Sequence, residues 1–127
     1  MYPENYLYTK EHEWLLVDGD VATIGITDHA QNQLGDIVYV DSPDLETDYE
    51  AGDEFGSVES VKAVAEVFMP VSGSIVAVNE SLEESPELIN TDPHGEGWLV
   101  KAKLADASQL EDLMNAEAYK NFIAEES

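Results

Sequence analysis

Short apolar stretches, five to seven residues long, recur along the chain between turns that contain glycine or proline. Within residues 63–69 the side chains alternate, so that Glu66 faces one side and Val67 the other, as in a half-buried strand. The predicted strands are 12–17, 21–26, 37–41, 54–60, 63–69, 74–78 and 98–104. Many short strands at close spacing indicate a mainly β fold, an antiparallel sandwich or barrel.

Two helical segments interrupt the strand pattern. Thr27 or Asp28 can cap a short helix near 28–34, because a small oxygen-bearing side chain satisfies the free N–H groups of a first turn. Gly35 then supplies the stop. A second capping signal after the last strand opens a C-terminal helical segment at about 107–124.

The length of 127 residues fits a single domain. We therefore predict one domain over residues 1–127, with its core at about 6–104. Residues 79–97 are rich in proline and glycine, so we predict a loop there. No apolar stretch approaches membrane-spanning length, and the first residues lack the pattern of a signal peptide. These features lead us to expect a soluble, intracellular protein.

The net charge of −23 narrows the choice of partners. Nucleic-acid backbones need cations to displace their counterions, and anionic membranes repel acidic chains, so neither is expected as a partner. The charge also favours a monomer through self-repulsion. Two interpretations of the acidity remain open, either solubility in a salty cytoplasm or steering toward basic faces of partner proteins.

The chain contains no cysteine, which excludes disulfides, a thiol nucleophile and a zinc–thiolate site. Any sulfur redox chemistry would need a cofactor that brings its own sulfur. The histidines are too scattered to predict a metal site, and no nucleophile elbow is present. The sequence thus predicts neither catalytic residues nor metal ligands.

A single cation, Lys62, interrupts the 90 residues from Glu11 to Val100. It lies between Val61 and Ala63, where the strands 54–60 and 63–69 would meet in a hairpin tip. The ε-amine is a compact nucleophile on a flexible stem, so covalent modification is one interpretation. An ordinary solvated lysine is the other, and the tip lacks the Gly, Asn or Pro that usually marks a turn.

Several motifs, in order over roughly residues 6–123, resemble those of the glycine cleavage H proteins. The segment around Lys62 resembles the lipoyl-attachment segment of that family. The matching stretches are Tyr8-Thr9-Lys10-Glu11-His12-Glu13-Trp14, Gly25-Ile26-Thr27-Asp28-His29-Ala30-Gln31, Leu34-Gly35-Asp36, Gly56-Ser57-Val58-Glu59-Ser60-Val61-Lys62-Ala63, Pro70-Val71-Ser72-Gly73, Asn79, Pro86-Glu87-Leu88-Ile89-Asn90 and Gly97-Trp98. One departure is His94, where the family usually has Tyr.

The resemblance implies a flattened sandwich of two antiparallel sheets, of the lipoyl and biotinyl type, with a helix packed outside it. It also implies a non-catalytic carrier with lipoate in amide linkage on Lys62, loaded by a lipoyl ligase or transferase. Glycine decarboxylase (the P protein) would load the arm with an aminomethyl group. The aminomethyltransferase (T protein) would unload it, and dihydrolipoamide dehydrogenase (L protein) would reoxidise it. The expected location is the cytoplasm in a bacterial or archaeal host, or the mitochondrial matrix in a eukaryote.

In the family the loaded arm folds into a cleft, and the resemblance implies Glu13, His29 and Glu66 as arm-cleft candidates. A carboxylate such as Glu13 suits a protonated amine, and His29 can bond the arm according to pH. Glu66 stands where family members tend to carry the shorter Asp. Without the resemblance, Glu13 would be one solvated acid among 28, and His29 would be a residue in the first turn of a helix.

Three other functions remain open. The first is an H-like lipoyl relay that feeds other complexes without cleaving glycine. The second is a biotin carrier of related fold, although biotin acceptors usually flank the lysine with Met rather than with Val61 and Ala63. The third is an acidic binding module that is never modified.

Overall fold

The structure, a computed structural model, describes residues 2–126, so Met1 and Ser127 at the ends of the predicted domain lie outside it. Nine strands, four α-helices and one 3-10 helix are present over the described residues. The strands are β1 Leu7–Tyr8, β2 Glu13–Asp18, β3 Val21–Ile26, β4 Ile37–Asp41, β5 Asp48–Tyr49, β6 Glu54–Ser60, β7 Val64–Phe68, β8 Gly73–Val78 and β9 Val100–Leu104. The helices are α1 Asp28–Leu34, α2 Ser81–Glu84, α3 Leu88–Thr91, the 3-10 helix Ala107–Asp112 and α4 Ala116–Glu126.

Two antiparallel sheets form the body of the molecule. The larger has the order β1-β2-β3-β9-β8-β5, and the smaller has the order β4-β6-β7. The hairpin β2–β3 turns through Gly19, whose φ of 66° favours glycine. This arrangement confirms the predicted two-sheet sandwich, together with the short helix near 28–34.

The structure corrects the predicted secondary structure where the sequence patterns are shortest or least regular. Strands β1 and β5 were not predicted, because two residues are too few to show an alternation. Residues 79–97 were predicted as loop but contain the one-turn helices α2 and α3. The segment 107–124 is split into the 3-10 helix and α4, with Met114 bridging to Tyr8 between them. Within residues 2–126, no helix is long and apolar enough to cross a membrane.

The main core joins inward-facing side chains from both sheets. Burial of such side chains is the principal stabilising term in a domain of this size. Its fully buried members include Leu15, Ile24, Val58, Ile75 and Val100. The inward positions of β2, β3, β6, β8 and β9 thereby fix the two sheets against each other.

A second, aromatic cluster holds α4 against the outside of the larger sheet. Tyr119 of α4 stacks on Tyr8 with ring centroids 4.8 Å apart, and Trp14 is buried in the same cluster. The Tyr119 hydroxyl lies 2.7 Å from Oγ1 of Thr27 and 2.8 Å from Nδ1 of His12. The C-terminal helix therefore fixes the start of β2, where Glu13 lies.

Candidate functional site

Lys62 is exposed at the tip of the hairpin that joins β6 and β7. The turn is organised by Ser60, whose Oγ accepts from the N–H of Ala63 at 3.0 Å and of Lys62 at 3.3 Å. Its backbone N–H donates to the carbonyl of Ala63 at 2.7 Å. A serine side chain thus replaces the Gly, Asn or Pro that the sequence lacks at this turn.

The tip is also attached to the loop that follows α1. The N–H of Val61 donates to the carbonyl of Asp36 at 3.0 Å. A Cβ placed on Gly35 would lie 3.7 Å from Cε of Lys62, so the lysine stem runs beside this glycine. The lysine backbone is therefore held from two sides while its amine is open to solvent.

We expect Ser60→Ala to loosen the tip without unfolding the protein. The variant removes the acceptor of the Lys62 and Ala63 amides, and those groups can bond to water, so the cost is about 1 kcal/mol. Amide hydrogen exchange at residues 62 and 63 should become faster than in the parent. Ser57→Ala, on the same strand, is the matched control, and equal exchange in the two variants would contradict the role of Ser60.

Glu13 lies at the start of β2 and is only 2% exposed. Its Oε1 accepts from the hydroxyl of Thr9 at 2.7 Å, and its Oε2 accepts from the N–H of Phe68 at 3.3 Å. The Thr9 hydroxyl also accepts from the N–H groups of Glu11 and Glu13, so this loop holds the carboxylate in place. The bond to Phe68 joins Glu13 to the far end of β7, the strand that begins at the Lys62 tip.

Burial raises the pKa of Glu13 to about 7, although the hydrogen bonds from Thr9 and Phe68 lower it in part. The neighbouring charge of Glu11 raises it further. This side chain therefore titrates near neutral pH, unlike an ordinary surface glutamate. An incoming cation would favour its ionised form.

Glu13 lines a cavity of about 260 Å³. The other walls come from residues 8–11, Gly52, residues 68–70 and residues 112–114. A larger hollow of about 450 Å³ lies beside β5 and Lys103, and none of the predicted site residues lines it. The smaller cavity is therefore the one that combines a predicted site residue with a hollow beside β7.

His29, on α1, lies beside His12. The rings of His12 and His29 have centroids 4.7 Å apart, and His12 directly precedes Glu13. His12 has φ 70°, and its carbonyl accepts from the N–H of Thr27 at 3.0 Å. His29 is thus near the Glu13 loop, although it is not among the residues that line the Glu13 cavity.

Glu66 is not among the residues that line the Glu13 cavity. It is exposed on β7, directly opposite Ser57 of β6, on the outer face of the smaller sheet. Glu13 instead contacts the backbone edge of β7 at Phe68. The structure consequently brings the Glu13 loop close to His29 and to the end of β7, and it places Glu66 on the exposed face of β7, two positions before Phe68.

Three contributors to the site were not predicted as such. Ser60 builds the lysine turn, and Thr9 holds Glu13. A serine or threonine that lies two to four residues before a turn amide is the sequence signal that could have identified both. His94 Nε2 accepts from the N–H of Asp28 at 3.1 Å, at the start of α1. The family departure at this position is thus a helix-capping imidazole.

A flattened sandwich of two antiparallel sheets that presents one lysine at a hairpin tip defines a carrier domain of the lipoyl and biotinyl type. Residues 6–126 match the family model described as "Glycine cleavage H-protein". The chain therefore belongs to the glycine cleavage H-protein family, whose members are non-catalytic lipoyl carriers.

Individual relatives agree with the family match. A glycine cleavage system H protein of Bacteroides thetaiotaomicron is 58% identical over 119 residues, 94% of each chain. That of Staphylococcus carnosus is 56% identical over 123 residues, 97% of this chain and 98% of its own. The crystal structure of a glycine cleavage system H protein from Mycobacterium marinum superposes with a TM-score of 0.86 at 36% identity, covering 94% of this chain and 96% of that chain.

Proposed function

We propose that the ε-amine of Lys62 carries lipoate in amide linkage. On this proposal the chain acts as one carrier domain that takes the aminomethyl group of glycine from the P protein to the T protein. It then presents the reduced arm to the L protein, and a lipoyl ligase or transferase supplies the group in the first place. When bound, the lipoyl group supplies the sulfur chemistry that this cysteine-free chain lacks.

The observation that carries the proposal is the placement of Lys62. Its amine is exposed at a hairpin tip whose backbone is fixed by Ser60 and by the carbonyl of Asp36. An acylating enzyme can reach such an amine without unfolding the carrier. The rigid tip also gives the arm a defined origin, which reduces the ordering cost when the arm enters a partner's active site.

The residues around Glu13 also form a cavity that suits the far end of the lipoyl arm. The cavity beside β7 has a volume of about 260 Å³ and is lined in part by the buried Glu13. A protonated amine that entered this cavity would gain a charge-assisted hydrogen bond to Glu13. We propose that Glu13 receives the amine there, with His29 behind the Glu13 loop. Glu66 lies two positions before Phe68 on β7, and we propose it as a further contact for the end of the arm.

The decisive experiment is expression with and without lipoate and an authentic lipoyl ligase, followed by intact mass and peptide mapping. We expect one lipoyl group, located on Lys62. The loaded protein should then support release of carbon dioxide from glycine by purified P protein, and the unloaded protein should not. A chain that stays unmodified, or that carries biotin instead, would contradict the carrier proposal. A lipoylated chain that is inactive with P protein and glycine would instead point to a lipoyl relay.

A further inference from the structure

Apolar side chains are unusually exposed around Lys62, in a chain whose surface is otherwise strongly acidic. Tyr39 is 57% exposed, Val61 69% and Val64 64%. Val38, beside Tyr39 on β4, is also exposed. Exposed apolar groups that cluster in one place on a soluble domain commonly mark an interaction site.

These side chains form one continuous surface on the outer face of the smaller sheet. Tyr39 pairs with Glu59, and Glu59 pairs with Val64, so the three lie in one row across β4, β6 and β7. Neighbouring strands are about 5 Å apart, so the row is about 10 Å wide. Val61 continues it at the tip, immediately before Lys62. We name Tyr39, Val61 and Val64 the tip patch.

The position of the patch indicates what must contact it. The lysine amine is only about 6 Å from its own Cα, so an enzyme that acylates it must bring its surface against the tip. An enzyme that acts on the far end of a loaded arm has no such constraint. The tip patch therefore lies within the footprint of the acylating enzyme whatever else binds there.

Charge complementarity describes the rest of that footprint. Asp36 follows α1 beside the tip, and Asp41 and Glu66 lie in the next outward row of the sheet, on either side of Ser57. All three acidic residues are exposed. A further exposed carboxylate, Glu59, lies within the row itself, between Tyr39 and Val64. A partner surface that fits is therefore apolar opposite the tip patch and has lysines or arginines opposite these carboxylates, which speeds encounter with a chain of net charge −23.

We infer that the tip patch is the docking surface for the enzyme that acylates Lys62, an enzyme whose own docking face combines apolar side chains with lysines or arginines. The inference rests on the proposed function, because it requires that Lys62 is acylated. Apolar contact at the patch would give affinity, and the surrounding carboxylates would orient the approach.

The test is the acylation rate of the unloaded chain by a purified lipoyl ligase, followed by intact mass. We expect the double variant Tyr39→Ser/Val64→Ser to lower kcat/KM about tenfold through KM, with kcat near that of the parent. The matched control is Leu45→Ser/Val76→Ser, which removes two comparably exposed apolar side chains away from the tip. It should be acylated at the parental rate. Thermal unfolding of each variant verifies that it is folded.

A second measurement separates docking from chemistry. A chain with Lys62→Arg keeps the patch but has no acylable amine, so it should inhibit acylation of the parent competitively. The same chain with Tyr39→Ser/Val64→Ser added should inhibit at least several-fold less. Equal inhibition by the two, or equal acylation of patch and control variants, would overturn the docking surface and leave the carrier function intact. Failure of the parent itself to be acylated would overturn both.

Discussion

Lys62→Arg is expected to abolish lipoyl loading while leaving the fold unchanged. The side chain lies at an exposed tip and contributes little packing, so the free energy of unfolding should change by less than about 0.5 kcal/mol. Arginine keeps the positive charge, but its guanidinium stays protonated and is not an acyl acceptor at neutral pH. Without the arm, release of carbon dioxide from glycine with P protein should fall to the background of that enzyme alone.

The measurement is intact mass after incubation with ligase, together with the decarboxylation assay and thermal unfolding. Lys120→Arg is the matched control, since Lys120 is exposed on α4, far from the tip in the sequence. It should be loaded and active like the parent. Loading of the Lys62→Arg chain at another lysine would show that the attachment residue is wrong. A markedly lower unfolding temperature would show that Lys62 has a structural role.

The strong signals in the sequence were the long ones. Strands of five or more residues and the Thr27–Gly35 helix were predicted from periodicity and capping, because those patterns are local. The two-residue strands β1 and β5 exist only because neighbouring strands pair with them. Their information lies in tertiary contacts, which a window of sequence does not contain.

For the site residues, too, the local sequence signals could be recognised and the tertiary contacts could not. Lys62 is the one cation in a long acidic stretch, and the resemblance of its flanks to a lipoyl-attachment segment made it the predicted attachment residue. The fixed position of its backbone depends on a bond from Val61 to Asp36, 25 positions away. Glu13 was one acid among 28, and its burial comes from packing of β7 and the aromatic cluster around it. Glu66 stays a prediction, since strand register places it on the exposed face of β7, two positions before Phe68, whose N–H contacts Glu13. Periodicity identifies the face of a strand, but not which neighbour covers it.

The buried carboxyl of Glu13 should make the unloaded protein less stable as pH rises toward 8. Its pKa is raised from 4.5 to about 7 by burial. Between these values the folded chain holds a proton that the unfolded chain has lost, so stability falls with rising pH through this window. The loss is complete above the folded pKa, and at 1.36 kcal/mol per pKa unit it amounts to about 2–3 kcal/mol between about pH 5 and about pH 8.

General repulsion among the acidic side chains also weakens the fold over this range, so the comparison must be between variants. Glu13→Gln lacks the buried carboxyl, so between about pH 5 and about pH 8 its free energy of unfolding should fall by about 2–3 kcal/mol less than that of the parent. Glu83→Gln removes one negative charge from an exposed position on α2 that does not line the cavity, and it should follow the parent closely. Urea unfolding at about pH 5 and about pH 8 measures both differences. Parallel curves for the parent and Glu13→Gln would contradict a neutral buried carboxyl.

Because Glu13 can pair with a bound amine, the stability of the protein should depend on whether that amine is present. A protonated amine in the cavity pairs with ionised Glu13 and lowers its pKa. The loss of stability between about pH 5 and about pH 8 should therefore be smaller when the amine is present. Protein whose lipoyl arm bears the aminomethyl group should therefore be more stable at about pH 8 than protein with the bare lipoyl arm, with a smaller difference at about pH 5, where Glu13 is protonated. In Glu13→Gln the pH dependence of this difference should disappear. If it persists, the amine is held by another group, and Glu13 only shapes the wall of the cavity.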